Sequence, residues 1–89
     1  MAIAVKFIGA LRHVSGIREH AFGDEGHTSV KKLINEIIKD LPSLKQSLID
    51  LTQNTLVLVN GKEISVLDGL ETKLNDGDEV VLIPFVHGG

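Results

Sequence analysis

No cysteine occurs in the 89 residues, so disulfides, thiolate metal sites and a cysteine nucleophile are excluded. Trp and Tyr are also missing, and the aromatics are three Phe, which leaves no platform on which single-stranded bases would stack. Basic residues number 9 against 12 acidic ones, for a net charge of −3. Apart from Lys31 and Lys32 the bases are scattered, so a phosphate backbone has little to hold and nucleic acid is not an expected partner. No run approaches the roughly 18 apolar residues of a membrane span, and no membrane association is expected. The first residues, "MAIAVKFIGALR", are interrupted by Lys6 and show neither a basic leader nor a small-residue cleavage site; the expected location is the cytoplasm.

What is present is an ordinary globular composition, 43% apolar and 24% charged. The length suits one domain with a core large enough to hold without staples. Repeats, low-complexity tracts and linkers are absent, so residues 1–89 read as one domain whose last residues, about 86–89, form a flexible Gly-Gly tail.

Periodicity divides the chain. "AIAVKFIGA" alternates Ile3, Val5 and Phe7 against Ala4, Lys6 and Ile8, the period of a half-buried strand over residues 2–9. Glycines at 16, 23 and 26 isolate "IREHAF" as a second strand, hairpinned to the first. From Ser29 the period changes. Val30, Leu33, Ile34, Ile37, Ile38 and Leu41 fall on one helix face, with Ser29 as the cap and Pro42 as the stop. Leu44, Leu48 and Leu51 suggest another short helix. "TLVLV" and "KEI" flank Asn60-Gly61 as a tight hairpin. After the turn "NDGD", "EVVLIPF" is apolar on both faces, as a central strand is. The expected order is strand, strand, helix, strand, strand, strand, an α+β fold with a mixed sheet of four to five strands and one main helix across one face. With the first and last strands side by side, Val5, Phe7, Val80 and Leu82 share one face and Ile8, Val81, Ile83 and Phe85 the other. Parity alone does not say which is inside.

The chain ends "IPFVHGG". Glycine has no Cβ, so a Gly-Gly end threads a channel too narrow for side chains. Four residues beyond Phe85 reach at most about 14 Å, enough to place the last carboxylate in another protein's active site while the sheet docks outside. Pro84 limits backbone freedom where the tail leaves the sheet.

The pieces "VKFIGALR", "NGKEI" and "LNDGDEVVLIPFVHGG", with the helix between them, resemble the ubiquitin-like β-grasp sulfur carriers. The nearest likeness is to the small subunit of molybdopterin synthase, in the MoaD/ThiS-like group, with ubiquitin-related modifiers and the thiamine-pathway carrier as relatives. The resemblance covers nearly the whole chain. It implies that an E1-like adenylating enzyme, using ATP, activates the carboxylate of Gly89, with Gly88 as its stem, for conversion to a thiocarboxylate. It further implies a carrier that is no enzyme, binds no cofactor, and works as the non-catalytic subunit beside a molybdopterin synthase large subunit or equivalent sulfur acceptor. Phe7, Ile8, Ile83, Phe85, Val86 and His87 occupy the region where that family docks its partners. The chain departs from the small-subunit pattern at Phe85, which follows a single proline, and at His87. Its "HGG" ending is similar to the ubiquitin-related modifiers, which act in tRNA thiolation and attach to protein lysines, so the pathway stays open. The residues agree with a substrate role: a carboxylate needs its oxygen turned into a leaving group, and no G-x-x-x-x-G-K loop occurs here to supply the nucleotide. Without a thiol, any carried sulfur sits on that activated carboxyl carbon.

Other polar residues carry less. His13, His20 and His27 recur every seven residues but are separated by glycines, so no metal site is expected. Asp76, Asp78 and Glu79 read as a solvated turn, and Glu19, Asp24 and Glu25 as isolated acids that offer no acid and base pair.

Overall fold

Alternating apolar residues at both ends of the chain build the centre of one sheet. The computed structural model describes residues 2–23, 28–48 and 55–85. Strand β1 (Ala2–Phe7) leads into helix α1 (Ala10–Ser15), β2 (Glu19–Gly23) and β3 (Thr28–Ser29). Helix α2 (Val30–Asp40) follows, then a 3₁₀ turn at Pro42–Leu44 and α3 (Lys45–Leu48). The second half holds β4 (Thr55–Val59), β5 (Lys62–Glu63), 3₁₀ turns at Ile64–Val66 and Gly69–Glu71, β6 (Lys73–Leu74) and β7 (Glu79–Pro84). The large sheet has the order β2-β1-β7-β4-β5, with β1 and β7 parallel and the other pairs antiparallel.

The doubly apolar β7 lies at the centre, as its composition requires. Register places Val5 beside Val80 and Phe7 beside Leu82. These four are fully buried, and with Ile3, Val57 and Phe22 they meet Val30, Leu33 and Ile37 of α2. Parity is thereby resolved: the set containing Phe7 faces the helix. Ile38 and Leu41 pack on the rim of this core. The Ser29 hydroxyl accepts from the Lys32 N–H at 3.2 Å, and α2 stops two residues before Pro42. Asn60 and Gly61 both take positive φ, the primed turn anticipated between β4 and β5. Asp78 ties this turn to its neighbour by accepting from Asn60 Nδ2 at 2.9 Å and from the Asn75 N–H at 2.8 Å.

The structure corrects several expectations. The first strand stops at Phe7 instead of residue 9, because Gly9 takes φ 59 and ψ −128 and turns the chain out of the sheet. Residues 10–15, to which no periodicity assigned an element, form α1, which is held by burial of Leu11. The second strand is Glu19–Gly23 instead of residues 17–22. Ile64 starts a 3₁₀ turn and does not continue β5. Strands β3 and β6 form a separate two-stranded ladder that no periodicity announced. Leu51 lies outside the described residues.

Truncating Phe7 to Ala is expected to cost about 3–5 kcal/mol in urea unfolding, the range for a fully enclosed aromatic. The neighbouring Ile8→Ala should cost less than about 1 kcal/mol, as for partly exposed positions.

Candidate functional site

Opposite the helix, the sheet presents a second apolar face. Leu58 pairs with Val81 and Leu56 with Ile83, and all four are half-buried. At the end of this row stand Phe85, 44% exposed, and Ile8, 42% exposed. At the other end Lys6 and Glu79 form an ion pair at 3.0 Å. The Glu79 carboxylate holds the Lys6 ammonium pKa above its ordinary value, first through the hydrogen bond and then through its charge.

Of the residues assigned by resemblance to a partner interface, Ile8, Ile83 and Phe85 share this face. Phe7 does not: its ring is wholly buried against the helix side, because alternation turns it opposite to Ile8. Val86, His87, Gly88 and Gly89 lie outside the described residues. Leu56 and Leu58 were not singled out from sequence, although the doubly apolar "TLVLV" carried the signal.

At the end of β7 the backbone ladder to β1 is closed off. The Ile8 N–H donates to the Leu82 carbonyl at 3.1 Å, and the Ala4 N–H to that of Asp78 at 3.1 Å, so even-numbered residues of this segment face β1. Pro84 is next in that series and has no N–H to offer, which ends the ladder between β1 and β7. A Cβ added to Gly9 would lie 3.6 Å from Pro84 Cγ, so the turn after β1 stands against the root of the tail.

Thr55, 4% exposed and opposite Pro84 in register, has a hydroxyl with no hydrogen-bond partner among the described residues. Thr55 and Phe85 line a cavity of about 170 Å³, together with Leu56, Ile64, Leu70 and Glu63. Glu63 accepts from the Ser65 hydroxyl and from the Ser65 N–H, the latter at 2.7 Å, and these bonds hold its carboxyl below the usual range.

Of the acids read as a solvated turn, Asp78 bonds to Asn60 and Asn75 and Glu79 pairs with Lys6. His20 meets Phe22 edge-on, with ring centroids 4.6 Å apart. Among the described residues no group of three or more His, Cys, Asp or Glu is placed to hold a metal ion. His27, Asp24 and Glu25 lie outside the described residues. Among the described residues no helix is long and apolar enough to cross a membrane.

A mixed five-stranded sheet gripping one main helix, with the last strand at its centre, is the ubiquitin-like β-grasp of small sulfur carriers and protein modifiers. Residues 5–89 match the ThiS family, and the chain belongs to it. It is similar to the small archaeal modifier protein 3 of Haloferax volcanii, 29% identical over 92 residues and over the whole of both chains. It is also similar to the molybdopterin synthase sulfur carrier subunit of Chlamydomonas reinhardtii, 35% identical over 91 residues and again over both whole chains. The crystal structure of SAMP1 from Haloferax volcanii superposes over all of both chains with a TM-score of 0.86 at 24% identity, a likeness of fold alone.

The Glu63 bonds give a pH test. Lowering the folded pKa favours the ionised form, so the bonds contribute above the unfolded pKa and are lost as pH falls through the folded one. Carbon-detected NMR titration should find Glu63 titrating lower than in Ser65→Ala, in which it returns towards the ordinary glutamate range.

Proposed function

We propose that this chain is a sulfur carrier whose Gly89 carboxylate is adenylated by an E1-like enzyme using ATP, converted to a thiocarboxylate, and used as sulfur donor in molybdopterin synthesis. The observation that carries the reading is the placement of an apolar face, Leu56, Leu58, Val81, Ile83, Phe85 and Ile8, on the same strand end from which the tail departs. A partner that docks on this face receives residues 86–89 in its active site within their reach of about 14 Å. The full-length likeness to a molybdopterin synthase sulfur carrier subunit supports this pathway.

The chemistry needs nothing from this chain but the terminus. Adenylation joins the carboxylate to AMP and expels pyrophosphate. Attack by hydrosulfide on the carboxyl carbon then expels AMP and releases the sulfur's proton, leaving sulfur in place of one oxygen. Catalysis belongs to the partners. The body contributes orientation, which converts an encounter into a positioned reaction.

A second reading has its own support. The full-length likeness to a small archaeal modifier protein favours attachment of the activated Gly89 to protein lysines, by amide formation with loss of AMP. Use of the thiocarboxylate in tRNA thiolation or in the thiamine pathway relies on the same first step.

Incubation with the E1-like enzyme, ATP and a sulfur donor should add the mass of one sulfur in place of one oxygen on Gly89. Deleting Gly88 and Gly89 should abolish this entirely while the circular dichroism spectrum is kept. Mass gain without lysine-linked conjugates in cells supports the molybdopterin reading, and conjugates that vanish with the glycines support the modifier. An unchanged mass in the intact chain refutes the carrier reading, and the absence of any adenylate on Gly89 refutes both.

A further inference from the structure

Two open depressions meet at one pair of arginines. One, of about 570 Å³, is lined by Gly9, Arg12, His13, Gly16, Ile17 and Arg18. The other, of about 470 Å³, lies towards the open sheet face at Lys6, Ile8 and Glu19, and Gly9, Arg12 and Arg18 line it as well. The sequence separates the two arginines by a helix end, and Gly16 brings them together. At φ 78 it closes α1 with its N–H donating to the Arg12 carbonyl at 2.9 Å. That left-handed conformation is one that glycine adopts without a Cβ penalty. The reversed chain packs Ile17 on the core, and the Arg18 carbonyl accepts from the Phe7 N–H at 2.9 Å. Both backbones are pinned while both side chains are exposed.

Among the described residues neither guanidinium forms an ion pair, whereas Lys6 is occupied by Glu79. Glu19 on the rim is the remaining acid of the outer depression. In a chain of net charge −3, two uncommitted guanidiniums on a shared wall are a local reversal of sign. They also flank Gly9, which stands against Pro84 at the root of the tail.

We propose that Arg12 and Arg18 clamp an acidic segment of the activating partner, a pair of carboxylates at the mouth of the channel that takes residues 86–89. The proposal rests on the carrier reading and adds the chemistry of the partner's rim. A guanidinium presents a planar fork that matches a carboxylate, which favours this occupant. The position favours it too, since the tail reaches only about 14 Å and the channel mouth must therefore lie near Gly9. Phosphate of an RNA is disfavoured by the acidic net charge and by Glu19 on the rim. Such a clamp acts mainly on encounter rate and orientation, aligning the body before the tail enters.

The test is steady-state adenylation of the full chain by its E1-like enzyme, with salt as the second variable. Arg12→Glu combined with Arg18→Glu should raise KM for the carrier about tenfold at low salt, with a smaller change in kcat. The difference should shrink to about twofold at high salt, where exposed charges are screened. Arg12→Lys with Arg18→Lys keeps the charge and should fall between, which separates lost attraction from a damaged α1. A KM that stays within about twofold of the unsubstituted chain at low salt overturns the clamp and leaves the carrier reading standing. Transfer RNA bound by the unsubstituted chain and released by the Glu variant, with KM unchanged, overturns it as well. No adenylate on the unsubstituted chain refutes the carrier reading, and the clamp falls with it.

Discussion

The parallel pairing of β1 with β7 sets the terms for the rest of the molecule. It joins the first strand to the last, so the chain between them must leave the sheet after β2 and return to it. A parallel pair has no hairpin route and requires a long crossover, and α2 lies within that crossover, covering one face with Val30, Leu33 and Ile37. Register is held by side-chain parity. A slip of one residue would drive Ile8 and Ile83 inwards and expose Phe7 and Leu82, exchanging the core for the open face. The same pairing ends at Pro84, which has no N–H to offer and against which the turn at Gly9 stands.

From that point the division of labour follows. The buried face of the sheet stabilises; on the proposed reading, the open face and the arginine pair offer recognition and the terminus offers chemistry. A β-grasp body can serve a sulfur carrier or a protein modifier with the same surfaces, because both uses begin with activation of a terminal carboxylate. The difference lies in what attacks the activated carbon, and that is a property of the partner. The chain is similar over its full length both to a modifier and to a synthase carrier subunit.

Long periodic segments were legible from the residues alone. Helix α2, the central position of β7 and the Asn60-Gly61 hairpin each carry a pattern that spans several residues or a specific turn chemistry. Helix α1 did not show itself because six residues between two glycines offer one buried position, Leu11, and no repeat. The two-residue strands β3 and β6 are too short for any alternation. On the open face, Ile8, Ile83 and Phe85 were named through the family likeness and do lie together, while Phe7, named with them, is buried on the other side one step of alternation away. Arg12 and Arg18 were invisible as a pair, since only the left-handed turn at Gly16 returns the second beside the first.

By itself, then, the order of residues determined where apolar faces form, which strand is central, and that sulfur has no thiol to occupy, because these depend on local period and composition. Which face is covered, which charges share a wall, and where the central pairing ends were decided by tertiary structure, because each depends on strands distant in sequence meeting in one register.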